Sequence, residues 1–378
     1  MNALPYLLVT LTLLLLYLNE QRRLRLLSPR RAGWMAFILL LLFIGLRGHL
    51  YSDFINYYPF YNSLPDILHL DSSVMQRYLF EPGFVIYSSL IKSLGADYFC
   101  WVAIGTFIDL MVFRHTFGRY TGSVILPFIF FMAYNGLIIE FNLYRNAKAM
   151  DLFLLSLPYL ERRKMARYML LNIVGMMFHL SSVVYLPLYF VLHRRMCGAL
   201  RWGGIVFANI IILGGVNVVG TILSSLDMFQ AMAFYDKFAQ HTLHSSTGYA
   251  LSFGHLERTF AIVLFTALYE PLERQRPSNR IFYNAMWLYY ILFMVFHEVA
   301  VLVDRIPMLF VCGYWILYSN VAMLKLKWRQ IILLISLLLA MVKISISNNS
   351  IAARYDNLLF GIEPYHARRD DITPLLNR

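Results

Sequence analysis

The chain has 378 residues, 59% of them hydrophobic and 14% charged, with a net charge of +12. An ordinary soluble domain carries about 25% charged residues, so a fold in water would need a far larger core than this length provides. The positive charges sit in short clusters between apolar runs, a pattern of membrane orientation that argues against a nucleic-acid face.

A bilayer core is about 30 Å thick and a helix rises about 1.5 Å per residue, so about 20 apolar residues cross it. In chain order the crossing segments are 3–19, 33–50, 123–140, 204–224, 255–272, 281–302, 306–323 and 330–346, with 146–160 as a shorter one. Two further stretches are irregular. Residues 82–117 break at Gly95-Ala96-Asp97 before a longer helix, and 168–192 is interrupted by Phe178-His179-Leu180-Ser181-Ser182. The expected fold is all-α, a polytopic membrane bundle of about 10–12 transmembrane or re-entrant helices. Residues 1–346 are expected to form a single transmembrane domain with an outer-face loop at 51–81, and 347–378 a C-terminal tail on the outer side.

The apolar run Leu7–Leu18 resembles a signal peptide, but its basic cluster follows it and no small-residue cleavage site appears. It is expected to stay as a first helix with its N-terminus outside. Basic clusters at 22–31, 114–119, 162–167, 194–201, 274–280 and 325–329 are assigned to the cytoplasm. This orientation gives 82–117 one net crossing and makes 168–192 enter and leave on the same side. Broken backbone at membrane depth is tolerated only beside protein or a watery cavity, so a cavity is expected near His179. Cys100, Cys197 and Cys312 have neither metal-ligand nor disulfide spacing.

The remaining charged residues collect on the outer side, and an ionised group at a helix end is costly unless it faces a partner or a cavity. Arg47 ends the second segment just ahead of Asp53, Tyr57, Tyr58 and Tyr61. An Arg fork, a carboxylate and tyrosines suit a sugar-phosphate ligand; an Arg47–Asp53 pair capping the helix is the structural alternative. Glu81 precedes Pro82-Gly83 and is either a helix cap or a second carboxylate facing the same cavity. Asn142 and Arg145 share one helical face, and an arginine entering a membrane helix there wants an anion. His179, beside Ser181 and Ser182, is a packing residue or an acid–base group. Arg305 follows Asp304 and lies two turns after Glu298, so an ion pair competes with a ligand role. Arg354-Tyr355 and Tyr365-His366 lie in the tail, where a surface cap is the alternative. No nucleotide-binding signature and no metal-ligand spacing occurs, so neither a cofactor nor a metal is expected.

In these motifs the chain resembles the EpsG/Wzy-like family of O-antigen and exopolysaccharide polymerases. The matching residues are Gly45-Leu46-Arg47-Gly48 with Asp53 and Tyr57; Glu81-Pro82-Gly83-Phe84; Phe141-Asn142 with Arg145 and Ala147; Phe178-His179-Leu180-Ser181-Ser182 with Pro187; and Arg305. The family carries Arg-Gln after the Phe-Asn pair, where this chain has Arg145-Asn146. The resemblance implies a bacterial inner-membrane glycosyltransferase for lipopolysaccharide or related polysaccharide biosynthesis. It would join oligosaccharide repeat units carried on undecaprenyl pyrophosphate at the periplasmic face, without a metal, in contact with membrane lipids and with a chain-length-regulating protein as a partner. In that reading Asp53, Glu81 and His179 are the catalytic candidates. Arg47, Tyr57, Asn142, Arg145, Ser181, Arg305 and Arg354 hold the pyrophosphate and sugars. A transporter or flippase for lipid-linked saccharides is the alternative that explains the helices and cations without chemistry. A membrane acyltransferase using His179 leaves the outer arginines without a role.

Overall fold

The computed structural model describes residues 2–24, 26–78, 80–216, 218, 221, 252–297 and 300–376. Among them every regular element is helical, and the only strand-like pairings are single bridges of Asn357 with Arg47 and with Gly361. The chain forms two compact units, Met1–Tyr189 with Tyr318–Arg378, and Phe190–Leu317. The protein is an all-α membrane bundle.

In the first unit, α1 (Leu4–Glu20) buries Tyr6, Val9, Leu13 and Leu16 and leaves Leu4, Leu8, Leu11 and Leu15 exposed. That apolar outer stripe suits lipid. Asn19 accepts the Leu26 and Leu27 N–H groups and donates to the Leu27 carbonyl, folding the basic loop back on the helix. Ser28 then caps α2 (Pro29–Leu40), with proline in its first turn. The segment expected at 33–50 does not continue as α-helix, because Leu41–Gly45 is a π-turn. Its carbonyls are taken by side chains: Asn357 donates to Leu42, Tyr355 to Phe43 and Arg47 to Ile44.

Helices α3 (Phe54–Ser63) and α4 (Ser72–Arg77) lie in the expected outer loop, and α5 (Pro82–Ser93) follows Glu81. The break anticipated at 95–97 is present. Gly95 has φ +77°, and Asp97 accepts the Cys100 N–H to start the 23-residue α6 (Tyr98–Tyr120). The stretch 123–140 is two helices, α7 (Leu126–Ala133) and α8 (Gly136–Phe141). Asn135 lies in the left-handed region at φ +61°, and Gly136 packs so closely on Phe131 that a Cβ would stand 2.3 Å from its ring. Helix α9 (Tyr144–Glu161) turns through Arg162–Lys164 into α10 (Met165–Met176). The second expected interruption also appears: α10 stops, His179 is extended, and Leu180–Val184 is a 3-10 turn leading to α11 (Tyr185–Leu188).

The second unit holds α12 (Gly198–Leu213), α13 (Phe253–Ala267), α14 (Tyr269–Gln275), α15 (Asn279–Val295) and α16 (Ala300–Arg305). Most of the span expected at 204–224 beyond Leu213, and Glu298, lie outside the described residues. Gly204 lets α12 approach Trp287 of α15, where a Cβ would meet the indole at 2.3 Å. Arg258 of α13 lies 3.6 Å over the Phe293 ring. After α17 (Cys312–Val321) comes α18 (Arg329–Ser347). By length and composition, α6 and α18 are each long and apolar enough to cross a membrane. Among the described residues the other helices are shorter: Leu4–Glu20 and Asn279–Val295 each run unbroken for 17 residues, while 33–50, 123–140 and 168–192 are divided by the breaks above.

The tail packs back onto the first unit as a strap ending in α19 (Tyr365–Leu376). Fully buried Arg368 donates to the carbonyls of His49, Ile351, Ala352 and Arg354. Tyr355 stacks on Phe43 at 4.3 Å, and Tyr365 stacks on Tyr58 at 4.5 Å.

Candidate functional site

The Glu81-Pro82-Gly83-Phe84 and Phe178-His179-Leu180 motifs meet directly. Glu81 Oε1 accepts the Leu180 N–H at 3.0 Å and lies 3.1 Å from His179 Nδ1. In return, the Gly83 and Phe84 N–H groups donate to the Met177 carbonyl at 2.8 and 3.3 Å. The open donors at the start of α5 thus satisfy an open acceptor at the end of α10. Only glycine allows the approach, since a Cβ at 83 would stand 2.7 Å from Met177 Cβ. Proline in the first turn of α5 gives up an N–H that had no helical partner.

Arg145, in the first turn of α9, completes the cluster. Its Nη1 donates to Glu81 Oε2 at 2.5 Å and its Nε to the Tyr57 hydroxyl at 3.3 Å. The guanidinium lies 4.8 Å from the Phe80 ring centre, and Tyr57 stacks on Tyr144 at 4.5 Å. The Arg145 and Glu81 side chains retain 16% and 18% of their exposure and His179 only 7%, so the pair is reachable while the imidazole is sheltered. Burial alone would raise the Glu81 carboxyl. The His179 hydrogen bond, the Arg145 charge and the Leu180 N–H outweigh it and hold Glu81 at about 2. Glu81 is therefore a carboxylate at neutral pH, which only accepts hydrogen bonds and so fixes the proton of His179 on Nδ1.

The other sequence candidates fall in different surroundings. Asn142 Oδ1 accepts the Ser52 and Asp53 N–H groups at 3.1 and 3.2 Å, pinning the start of α3 beside the cluster. Asp53, at the N-cap of α3, is half-buried, and its charge is felt at Tyr57. Ser181 follows Leu180 in the 3-10 turn with its hydroxyl buried. Arg47 is buried and does not pair with Asp53 as the helix-cap alternative had it. It donates to the carbonyls of Ile44 and Glu140 and to Thr106 Oγ1, and its guanidinium lies 4.9 Å from Phe141 and 5.3 Å from Tyr144. Arg354 is an exposed ion-pair member, bound to Glu363 and to Asp371 within the tail. Arg305 ends α16 in the second unit with an exposed side chain.

Four expected residues, Tyr57, Glu81, Arg145 and His179, are thus in direct contact, with Asn142 and Asp53 adjoining. Tyr144 and Phe80 were not singled out from sequence, although both flank the motifs. Buried Asp109 and Asp151 were missed as well, because each lies inside a helical run that otherwise reads as apolar. Among the described residues no group of three His, Cys, Asp or Glu side chains is arranged to hold a metal.

The model of the EpsG family matches residues 32–365. No curated protein and no solved structure matches the chain.

Proposed function

The chain belongs to the EpsG family, and on that premise we propose that it joins lipid-linked oligosaccharide repeat units, carried on undecaprenyl pyrophosphate, at the periplasmic face of the inner membrane. The observation that carries this reading is the contact of Arg145, Glu81 and His179. A cation at the entrance of the cluster is balanced by one carboxylate, and that carboxylate also orients an imidazole.

Arg145 offers a fork matched to a phosphate oxygen pair, and an arriving pyrophosphate competes with Glu81 for it. With Nδ1 protonated toward Glu81, proton transfer runs through Nε2 of His179. The acceptor sugar hydroxyl attacks the anomeric carbon of the donor as Nε2 takes the hydroxyl proton. The anomeric carbon–oxygen bond to pyrophosphate breaks, and the departing oxygen keeps the electron pair beside the Arg145 charge. The half-buried Tyr144 and Phe80 supply flat faces for sugar rings, and Tyr57, buried with its ring stacked against both, holds them in place. Asn142 positions Asp53 near the same place, and Arg47 supports the floor through the α8 end.

The orientation is supported by charge. Arg119 and Glu161 pair at 3.0 Å at the opposite ends of α6 and α9 from the cluster, within the arginine-rich side assigned to the cytoplasm. Replacing Arg145 with alanine should abolish long-chain polysaccharide in cells while leaving the protein level normal. Unchanged chain length at normal protein level would refute the assignment.

A further inference from the structure

Below the Tyr144 ring the first unit buries a second set of ionisable groups that the glycosyl-transfer reading does not use. Asp109 lies at the midpoint of α6, Glu140 on α8, and Lys148 and Asp151 one turn apart on α9. All four are buried, with exposures of 3%, 2%, 7% and 4%. Lys148 donates to Asp109 and, at 2.8 Å, to the Gly105 carbonyl. Glu140 Oε2 accepts from Thr106 at 3.3 Å, while its Oε1 meets no donor. Asp151 lies against Asp109, and neither of its carboxyl oxygens meets a donor. A cavity of about 20 Å³ opens among Glu140, Asp109, Lys148, Arg47 and Tyr87, room for about one water.

The charges do not balance. Three carboxylates face two cations, Lys148 and Arg47, so full ionisation leaves one uncompensated negative charge at the level of a membrane helix centre. An unpaired charge there costs several kcal/mol, and one added positive charge removes it. A metal ion would share this cavity with the Lys148 and Arg47 side chains that line it. A proton needs no cavity and supplies the O–H donor that two abutting carboxyl groups lack.

We propose that the Asp109–Glu140–Asp151 cluster binds one proton in the interior of the bundle. The groups facing it are Arg47 from just past the π-turn, Tyr87 from α5, Thr106 from α6 and Lys148 from α9. The site is independent of Glu81 and His179, so it stands whether or not the chain extends saccharides.

Infrared spectroscopy of the purified full-length protein at pH 7, in water and in heavy water, tests this. The wild type should show the carbonyl stretch of a protonated carboxylic acid, shifted by deuteration. Glu140→Gln and Asp151→Asn imitate the protonated acid, so both should fold, and at least one should remove the band. That variant should also bind one proton fewer in the folded state. Its folded-to-unfolded ratio should then lose the tenfold fall per pH unit that one folded-state proton imposes on the wild type above the ordinary carboxylate range. The wild-type spectrum decides the matter even if a variant fails to fold. No protonated band in the wild type would overturn the proposal, as would a band that survives in the Glu140→Gln/Asp151→Asn double variant. Stability that rises with sodium at constant ionic strength would also overturn it, by assigning the charge to a metal ion.

Discussion

Replacing Lys148 with methionine keeps a long side chain of similar shape but removes the cation that pairs with Asp109. Breaking a buried pair by deleting one partner costs about 3–5 kcal/mol, because the other charge stays in the low-dielectric interior. Here the cost has a ceiling, since Asp109 can take up a proton instead. At pH 7 that means protonating a carboxyl about three pH units above the ordinary aspartate value, at about 1.4 kcal/mol per unit, or about 4 kcal/mol. The single variant should therefore lose about 3–4 kcal/mol at pH 7, and the loss should shrink by about 1.4 kcal/mol for each unit of acidification toward pH 5. Adding Asp109→Asn to Lys148→Met should recover most of the loss at pH 7 and flatten the pH dependence. The assay is reversible unfolding in mixed micelles across pH 5–8 for the wild type, both single variants and the double variant. Additive effects in the double variant, or a Lys148→Met loss that does not change with pH, would refute this account of the buried pair.

Glu81→Gln should lower saccharide extension per folded molecule by about 10²–10⁴, the range for losing an oriented acid–base group. Glu81 is held at about 2, below its ordinary value. The stability it contributes is therefore complete above about pH 4.3 and is lost as pH falls toward 2. Melting curves of wild type and Glu81→Gln should be well separated at pH 6 and converge in acid. Gly83→Ala forces a methyl to within 2.8 Å of the Met177 carbonyl oxygen and should cost about 1–3 kcal/mol as the two motifs are pushed apart. A melting temperature and an activity both unchanged would show that the close approach is not needed.

Much of the architecture was legible because membrane helices announce themselves by apolar length, and breaks by Gly, Asp or Ser within such lengths. The 95–97 and 178–182 interruptions follow from that logic. The break at Asn135-Gly136 carried a turn dipeptide, but apolar residues on both sides let hydropathy run straight through it. The site motifs were readable as polar islands, yet nothing local says that Glu81 and His179, 98 residues apart, share one hydrogen bond. Arg47 looked like a ligand at the rim. Its role as a brace for carbonyls left open by the π-turn depends on a backbone detail that no residue pattern encodes. Asp109 and Asp151 stayed hidden because a single carboxylate scarcely lowers the mean hydropathy of a long helix.

The most direct test uses purified protein in lipid nanodiscs with isolated lipid-linked repeat units, followed by separation of the products by length. The wild type should convert single units into a ladder of longer chains on one lipid carrier, and Arg145→Ala and His179→Ala should leave the units unextended. Equal ladders from both variants would contradict the account, as would a wild type that leaves the units unextended.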